Sequence, residues 1–272
     1  MEGQIVKIIS NDYFVKTNNN EYICKARGKF RQENITPKVG DFCLFDEKEK
    51  VIKEIKSRIN TLSRPLVSNI NQAFIVTSLK NPDFSSNLLD KLICICILNN
   101  IEPIICLTKK DLLTKSEYKD LKKIINYYKK LGIKVVYNNN INKIKKLLKH
   151  KTTVFTGQTG AGKSSLMNKL DKSLNFETNE ISKALGRGKH TTRTVSLVEI
   201  NNGKVLDTPG FSDIDLSIYK KEDIRDSFKE FKNKCKYTNC MHINEKECVV
   251  KELVNKNIIL KSRYENYIKF IK

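Results

Sequence analysis

Acidic side chains are scarce in this chain. Asp and Glu number 30 against 51 Lys and Arg, so 272 residues carry a formal net charge of +21. Such an excess suits a polyanionic partner, either nucleic acid or an acidic membrane surface. The competing reading is a solvated surface in a chain rich in Lys, Ile and Asn. Long apolar runs are missing as well: "LICICIL", residues 92–98, falls far short of the roughly 20 residues that span a bilayer, so no membrane segment is expected. The opening "MEGQIVKIISNDYF" has neither the basic region and apolar stretch nor the small-residue cleavage site of a secretory leader. Internal repeats are absent. The expected setting is the cytoplasm.

Cysteine use agrees with a reducing compartment. Of eight cysteines, Cys24, Cys43, Cys94, Cys96 and Cys106 are scattered through apolar or strand-like text, as small buried hydrophobes would be. The other three are clustered. Cys235, Cys240, His242 and Cys248 follow the spacing C-x4-C-x-H-x5-C, a donor set suited to one closed, structural, tetrahedral zinc site per chain. A disulfide is disfavoured in the cytosol, and three isolated thiols are the bland alternative. The segment around them is poor in apolar mass, and metal binding would help to fold it.

Three stretches succeed one another. Residues 1–62 hold five short strand-like runs, "GQIVKII", "DYFVKT", "EYICKAR", "VGDFCLF" and "VIKEIK", separated by turn residues, as in a small β-barrel of the OB type. Within them "KARGKFRQ" sets basic residues beside Phe30; either the ring stacks on RNA bases or it fills the barrel. Residues 63–215 begin with a linker, "SRPLVSNINQ", and then alternate strand-like and helix-like runs, the pattern of a parallel sheet covered by helices. "RTVSLVEI" and "GKVLDTPG", joined by "NNG", read as a hairpin. Residues 216–272 are helical and Lys-rich around the Cys/His cluster.

"GQTGAGKSS" fits the phosphate-loop pattern G-x-x-x-x-G-K-[ST], between a strand-like "TTVF" and a helix start "SLMNKL". Its residues Gly157, Gln158, Thr159, Gly160, Ala161, Gly162, Lys163, Ser164 and Ser165 are the nucleotide-binding candidates. Backbone N–H groups turn inward at the glycines, Lys163 reaches the β- and γ-phosphates, and Ser164 ligates Mg²⁺. Downstream, "DTPG" offers Asp207 to hold Mg²⁺ through water and Gly210 to sense the γ-phosphate. Between them "GRGKHTTRT" supplies Thr191 or Thr192 as a switch that closes on the metal and phosphate. Upstream, Thr108, Lys109, Lys110 and Asp111 end the apolar run "EPIICLT". Asp111 accepts from the ring N–H and amine of guanine while the stem of Lys109 covers the base; adenine leaves that carboxylate unsatisfied.

A base-reading loop ahead of the phosphate loop is an unusual order. With "TKKD", "GQTGAGKSS", "GRGKHTTRT", "DTPGF", "CKYTNCMH…C" and "SRYENY" in that sequence, the chain resembles the circularly permuted GTPases, and over nearly its full length the RsgA (YjeQ) family. The resemblance implies a multidomain α/β protein: an OB-fold that binds RNA, a circularly permuted phosphate-loop GTPase domain and a C-terminal helical zinc domain. It implies a GTP hydrolase that uses Mg²⁺, binds the small ribosomal subunit and its rRNA, assists late subunit maturation, and cycles between GTP and GDP. A monomer with no membrane partner is expected. Two departures stand out. Thr108 replaces the usual Asn of the base-reading motif, and the expected second base-contacting loop reads Tyr137-Asn138-Asn139, where no residue is assigned. Phe211 follows "DTPG" where many small GTPases carry a water-orienting Gln, so slow intrinsic hydrolysis stimulated by the subunit is expected. His190 either approaches that water or contacts RNA. The rival readings are an RNA-binding scaffold with incidental turnover and an ATP-using phosphate-loop enzyme.

Overall fold

The computed structural model describes residues 1–62, 66–172, 195–207, 215–232 and 235–272. Five strands open the chain: β1 (Glu2–Ile9), β2 (Asp12–Lys16), β3 (Glu21–Ala26), β4 (Phe42–Asp46) and β5 (Val51–Ile55). They pair in the order β1-β2-β3-β5-β4, and β4 returns to β1 to close a barrel. Alternation along the strands sends Ile5, Val15, Cys24, Cys43, Phe45 and Ile52 inward, each at most 2% exposed; burial of an Ile or Phe side chain contributes about 1.5–3 kcal/mol. The stretch "KARGKFRQ" forms a one-turn helix, α1 (Lys29–Gln32), that lowers Phe30 into this core at 5% exposure. Of the two readings of Phe30, the structure shows the ring filling the barrel core.

The remaining sheet is mostly parallel. Strands β8 (Gln72–Ser78), β9 (Glu102–Thr108), β10 (Lys134–Tyr137), β11 (Thr152–Gly157) and β13 (Gly203–Asp207) run in one direction in the order β10-β9-β8-β11-β13. Helices α2 (Ser86–Leu98), α3 (Lys115–Lys130), α4 (Ile141–Leu148) and α5 (Lys163–Leu170) connect or follow them. Every residue of β8 and β11 is buried, as expected for strands covered on both faces, and Phe74 stacks on Phe155 across them at 5.1 Å. Helix starts follow local chemistry. Ser85 accepts from Leu88 N–H at the head of α2, and Thr114 with Glu117 forms a capping box at the head of α3.

A two-residue turn, Asn201-Asn202, both with positive φ, joins β12 (Ser196–Ile200) to β13 as an antiparallel hairpin. The outer strand of this hairpin meets the barrel: Lys7 of β1 lies opposite Ser196 of β12. One sheet of eleven strands therefore runs from β10 through the hairpin into the barrel. A small separate pair, β6 (Thr61–Leu62) with β7 (Val67–Ser68), lies in the linker. The C-terminal part is helical, with α6 (Lys221–Ser227), α7 (Val249–Asn255) and α8 (Lys261–Phe270). Phe228, Phe231 and Tyr267 are stacked or edge-packed between them.

The seam between α2 and the C-terminal helices is a buried ion cluster. Arg263 of α8 donates to Asp90 of α2 at 2.5 Å and to both carboxylate oxygens of Glu230. Tyr128 and Asn266 each donate to Asp90 at 2.7 Å. The guanidinium also lies over Phe228 at 4.5 Å. Burial would by itself favour the neutral carboxyl of Asp90 and does push it up, while Arg263, Asn266 and Tyr128 all pull the other way. Among the described residues no helix is long and apolar enough to cross a membrane.

Candidate nucleotide and metal sites

All five parallel strands end on one edge, the edge at which such sheets bind ligands. β11 delivers Gly157 there, with a φ of +133°, and a Cβ at this position would meet the Val76 carbonyl at 2.1 Å. Only glycine allows this close approach. The chain reverses through Gly160 and Gly162, φ +77° and +93°, and enters α5 with Lys163 at its first position. Lys163 curls back, its ammonium donating to the carbonyls of Gly157 at 2.7 Å and Gln158 at 2.9 Å; partial burial lowers its pKa. Ser164 is half-buried in the first turn, whereas Thr159, Gly160 and Ser165 are exposed. The geometry is a cradle of backbone N–H groups at a helix N-terminus with one cation at its mouth.

The base-reading candidates meet this cradle directly. Thr108 ends β9 two residues beyond the level of Gly157, which aligns through Val76 with Cys106. Its hydroxyl donates to the Ala161 carbonyl at 2.7 Å, with Thr108 1% and Ala161 0% exposed. A side-chain donor is what this position supplies, and a threonine provides it in place of an asparagine amide. Beyond it the chain passes through Lys109, φ +56°, into a single 3-10 turn, Lys110–Leu112, none of whose residues is buried. Lys109 donates to the Asn81 carbonyl in the β8–α2 loop. Lys110 lies over the rings of Tyr118 at 4.3 Å and Tyr137 at 5.3 Å. Asp111 projects from the middle of the turn and is exposed. The Asn138 N–H, past β10, is used by the Leu107 carbonyl at 3.0 Å.

The hairpin carries the backbone of Asp207 to the same edge, since Val154 of β11 lies beside Leu206. His190, Thr191, Thr192, Gly210 and Phe211 lie outside the described residues. Sequence reasoning missed two neighbours of this site: the Asn81-Pro82 turn and the Tyr118–Tyr137 pair. Pro82 is only 3.7 Å from where a Gly160 Cβ would stand, so this turn borders both the phosphate loop and Lys109. The Asn-Pro pair was a legible turn signal; the pairing of the two tyrosines carried none.

The second site is assembled far from this edge. Ligand atoms of Cys235, Cys240, His242 and Cys248 all lie within 4.8 Å of one another. Nδ1 of His242 is 3.3 Å from the sulfurs of Cys240 and Cys248 and 3.7 Å from that of Cys235, and the first two sulfurs are 3.8 Å apart. A tetrahedral ion with metal–sulfur bonds of about 2.3 Å and a metal–nitrogen bond of about 2.0 Å demands sulfur–sulfur edges of about 3.8 Å and sulfur–nitrogen edges of about 3.5 Å. The donor set fits a metal of that size. Its backbone is held from outside: Tyr264 donates to the His242 carbonyl at 2.6 Å, Tyr267 to that of Met241 at 2.5 Å, and Glu245 accepts from Met241 and Ile243 N–H at 2.7 Å each.

A base-reading loop that precedes the phosphate loop in the chain, yet is clasped to it in space, defines a circularly permuted phosphate-loop GTPase. The RsgA GTPase model matches residues 47–217 and the RsgA N-terminal domain model residues 2–51. A small ribosomal subunit biogenesis GTPase, RsgA 2 of Oceanobacillus iheyensis, is 44% identical, the match covering 99% of this chain and 96% of the relative. The RsgA of Clostridium novyi is 46% identical over the same shares. Among solved structures, YloQ, described as a circularly permuted GTPase, superposes with a TM-score of 0.84 at 33% identity, covering 99% of this chain and 93% of its own. YjeQ from Thermotoga maritima gives 0.85 at 32% identity, covering 99% and 96%. The chain belongs to the RsgA GTPase family, the GTP-hydrolysing enzymes of small ribosomal subunit biogenesis.

Proposed function

We propose that this chain binds GTP across the carboxyl edge of its sheet, docks on the small ribosomal subunit and its rRNA in the cytoplasm, assists late maturation, and departs after hydrolysis as a monomer. The observation that carries the reading is the Thr108–Ala161 clasp, which makes one site of the base-reading and phosphate-binding loops. Asp111 selects guanine, and the amides of Gly160 to Ser165 together with Lys163 hold the phosphates. Ser164 and Asp207 are the residues that would hold Mg²⁺, which when bound neutralises charge on the β- and γ-phosphate oxygens. Thr191 or Thr192 and Gly210 serve as the γ-phosphate sensors.

The protein contributes position and charge rather than covalent chemistry. Phe211 cannot orient water, so hydrolysis is slow until the subunit orders the switch segment, bringing His190 to the water. Zinc is the metal proposed for the Cys/His cluster, in a structural role. Residues 1–62, 63–215 and 216–272 are assigned to the RNA-binding barrel, the GTPase domain and the zinc domain. The test is single-turnover GTP hydrolysis with and without small subunits, alongside competition by ATP. Strong stimulation and a marked preference for GTP are expected; a fast subunit-independent rate, or ATP binding as tight as GTP, refutes the reading.

A further inference from the structure

The turn that bears Asp111 is poorly held by its own backbone. It is one 3-10 turn with no buried residue and no side-chain cap, and its two internal hydrogen bonds, from Leu112 N–H to the Lys109 carbonyl and from Leu113 N–H to the Lys110 carbonyl, are long at 3.2 Å. A carboxylate that must match two donors on a base cannot rely on such a turn. Its flanks are tied instead. Lys109 is bound to the Asn81 carbonyl on one side. On the other, the Lys110 ammonium rests on two tyrosine rings whose hydroxyls are hydrogen-bonded to each other at 2.8 Å.

Those tyrosines come from separate elements. Tyr118 lies in the first turns of α3. Tyr137 is the last residue of β10, directly before Asn138, where the family resemblance expects a second base-contacting loop. Burial pushes the Tyr137 phenol well above its ordinary range and the bond between the two hydroxyls adds to it, so both rings stay neutral and either hydroxyl can serve as the donor. We propose that the Tyr118–Tyr137 pair and Lys110 form a positioning device for guanine recognition, fixing the Asp111 turn and the loop after β10 at one separation. The device rests on Asp111 reading the base, as proposed above. The part of the tyrosines is to remove freedom from the two loops before the base arrives, so that less is lost on binding.

The test uses the full chain in four variants, Tyr118→Phe, Tyr137→Phe, their double, and Lys110→Met, with Asp111→Asn as the control. A phenylalanine ring keeps the cation–ring contact; either variant loses the bond between the hydroxyls, and Tyr118→Phe also loses the interaction of that hydroxyl with Lys110. Each single Phe variant should raise the Kd of a fluorescent GDP analogue roughly three- to tenfold, with subunit-stimulated kcat at saturating GTP unchanged. The double should match Tyr118→Phe, because the bond between the hydroxyls is already lost in that single variant, and Lys110→Met should weaken binding in the same direction. Unchanged affinity in the Phe variants, additive losses in the double, or a fall in kcat with Kd unaltered each overturn the device. Asp111→Asn should shift preference from guanine to xanthine nucleotides. If that shift fails, the base-reading assignment falls and the device with it; if it occurs while the Phe variants bind normally, the device alone is wrong.

Discussion

Replacing Thr108 by Val tests the clasp with almost no change of shape. The two side chains are nearly isosteric, so packing at this site, 1% exposed, is preserved and only the donor to the Ala161 carbonyl is removed. That carbonyl belongs to a residue with no exposed surface, and a buried acceptor left without a partner costs about 1–3 kcal/mol. Where the cost falls depends on when the clasp forms. If it is complete before nucleotide arrives, the loss appears in unfolding; if it tightens on binding, it appears as a rise in the Kd of GDP, about fivefold at the low end and over a hundredfold at the high end, at 1.4 kcal/mol per tenfold. Urea unfolding and titration of a fluorescent GDP analogue, run on the same preparation, measure both. Thr108→Asn should restore most of the loss, since an amide reaches the same acceptor. A Thr108→Val protein whose unfolding free energy and GDP affinity both stay within about 0.3 kcal/mol of the parent, well inside the cost of an orphaned acceptor, refutes the clasp.

Arg263→Met takes the cation from between Asp90 and Glu230, and breaking a buried pair in this way costs about 3–5 kcal/mol, read as a fall in the urea unfolding free energy; Arg263→Lys, which keeps the charge, should lose less. Cys240→Ser should lower metal content from one zinc per chain and reduce the thermal stability of the C-terminal helices, as read by metal analysis and calorimetry, while GDP binding persists. Acid should loosen α3. The backbone N–H of Thr114, with Lys80 and the Thr114 hydroxyl, holds the Glu117 carboxyl down at about 2, below its unfolded value of about 4.3. Stability from this group is therefore present above the unfolded pKa and is lost as pH falls from there toward about 2, and Glu117→Gln should flatten stability across that window.

Much of this architecture was legible because it rests on local patterns. The five barrel strands, the alternation of strands and helices, the Asn-Asn turn of the hairpin and the Cys/His spacing all announce themselves within a dozen residues. So does the phosphate loop, whose glycines sit where the backbone turns left-handed. What stayed hidden depends on contacts between distant residues. Phe30 looks the same in sequence whether it stacks on a base or seals a barrel, and only closure of β4 onto β1 decides. Thr108 read as a defective asparagine because its partner, Ala161, lies on another strand's loop. Asp90 and Arg263 are 173 residues apart; "SRYENY" stood out as a motif, but its partner Asp90 reads as an ordinary surface letter until α2 and α8 meet.

The pairing of β1 with β12 also constrains how the molecule can move. β12 is the last strand of the parallel unit, and without the barrel it would present a row of unpaired N–H and C=O groups, a template for pairing with other chains. The barrel is thus a sheath for that edge, and the hairpin it covers lies between the candidate switch segment that precedes β12 and the Asp207 motif that ends β13. Besides Lys7 opposite Ser196, the ion pair of Lys16 with Glu199 at 2.9 Å and the hydrogen bond from Lys204 to Gln4 tie the barrel to the hairpin. A nucleotide-driven displacement of the hairpin would reach the barrel through these few contacts, which makes them the hinge between the two.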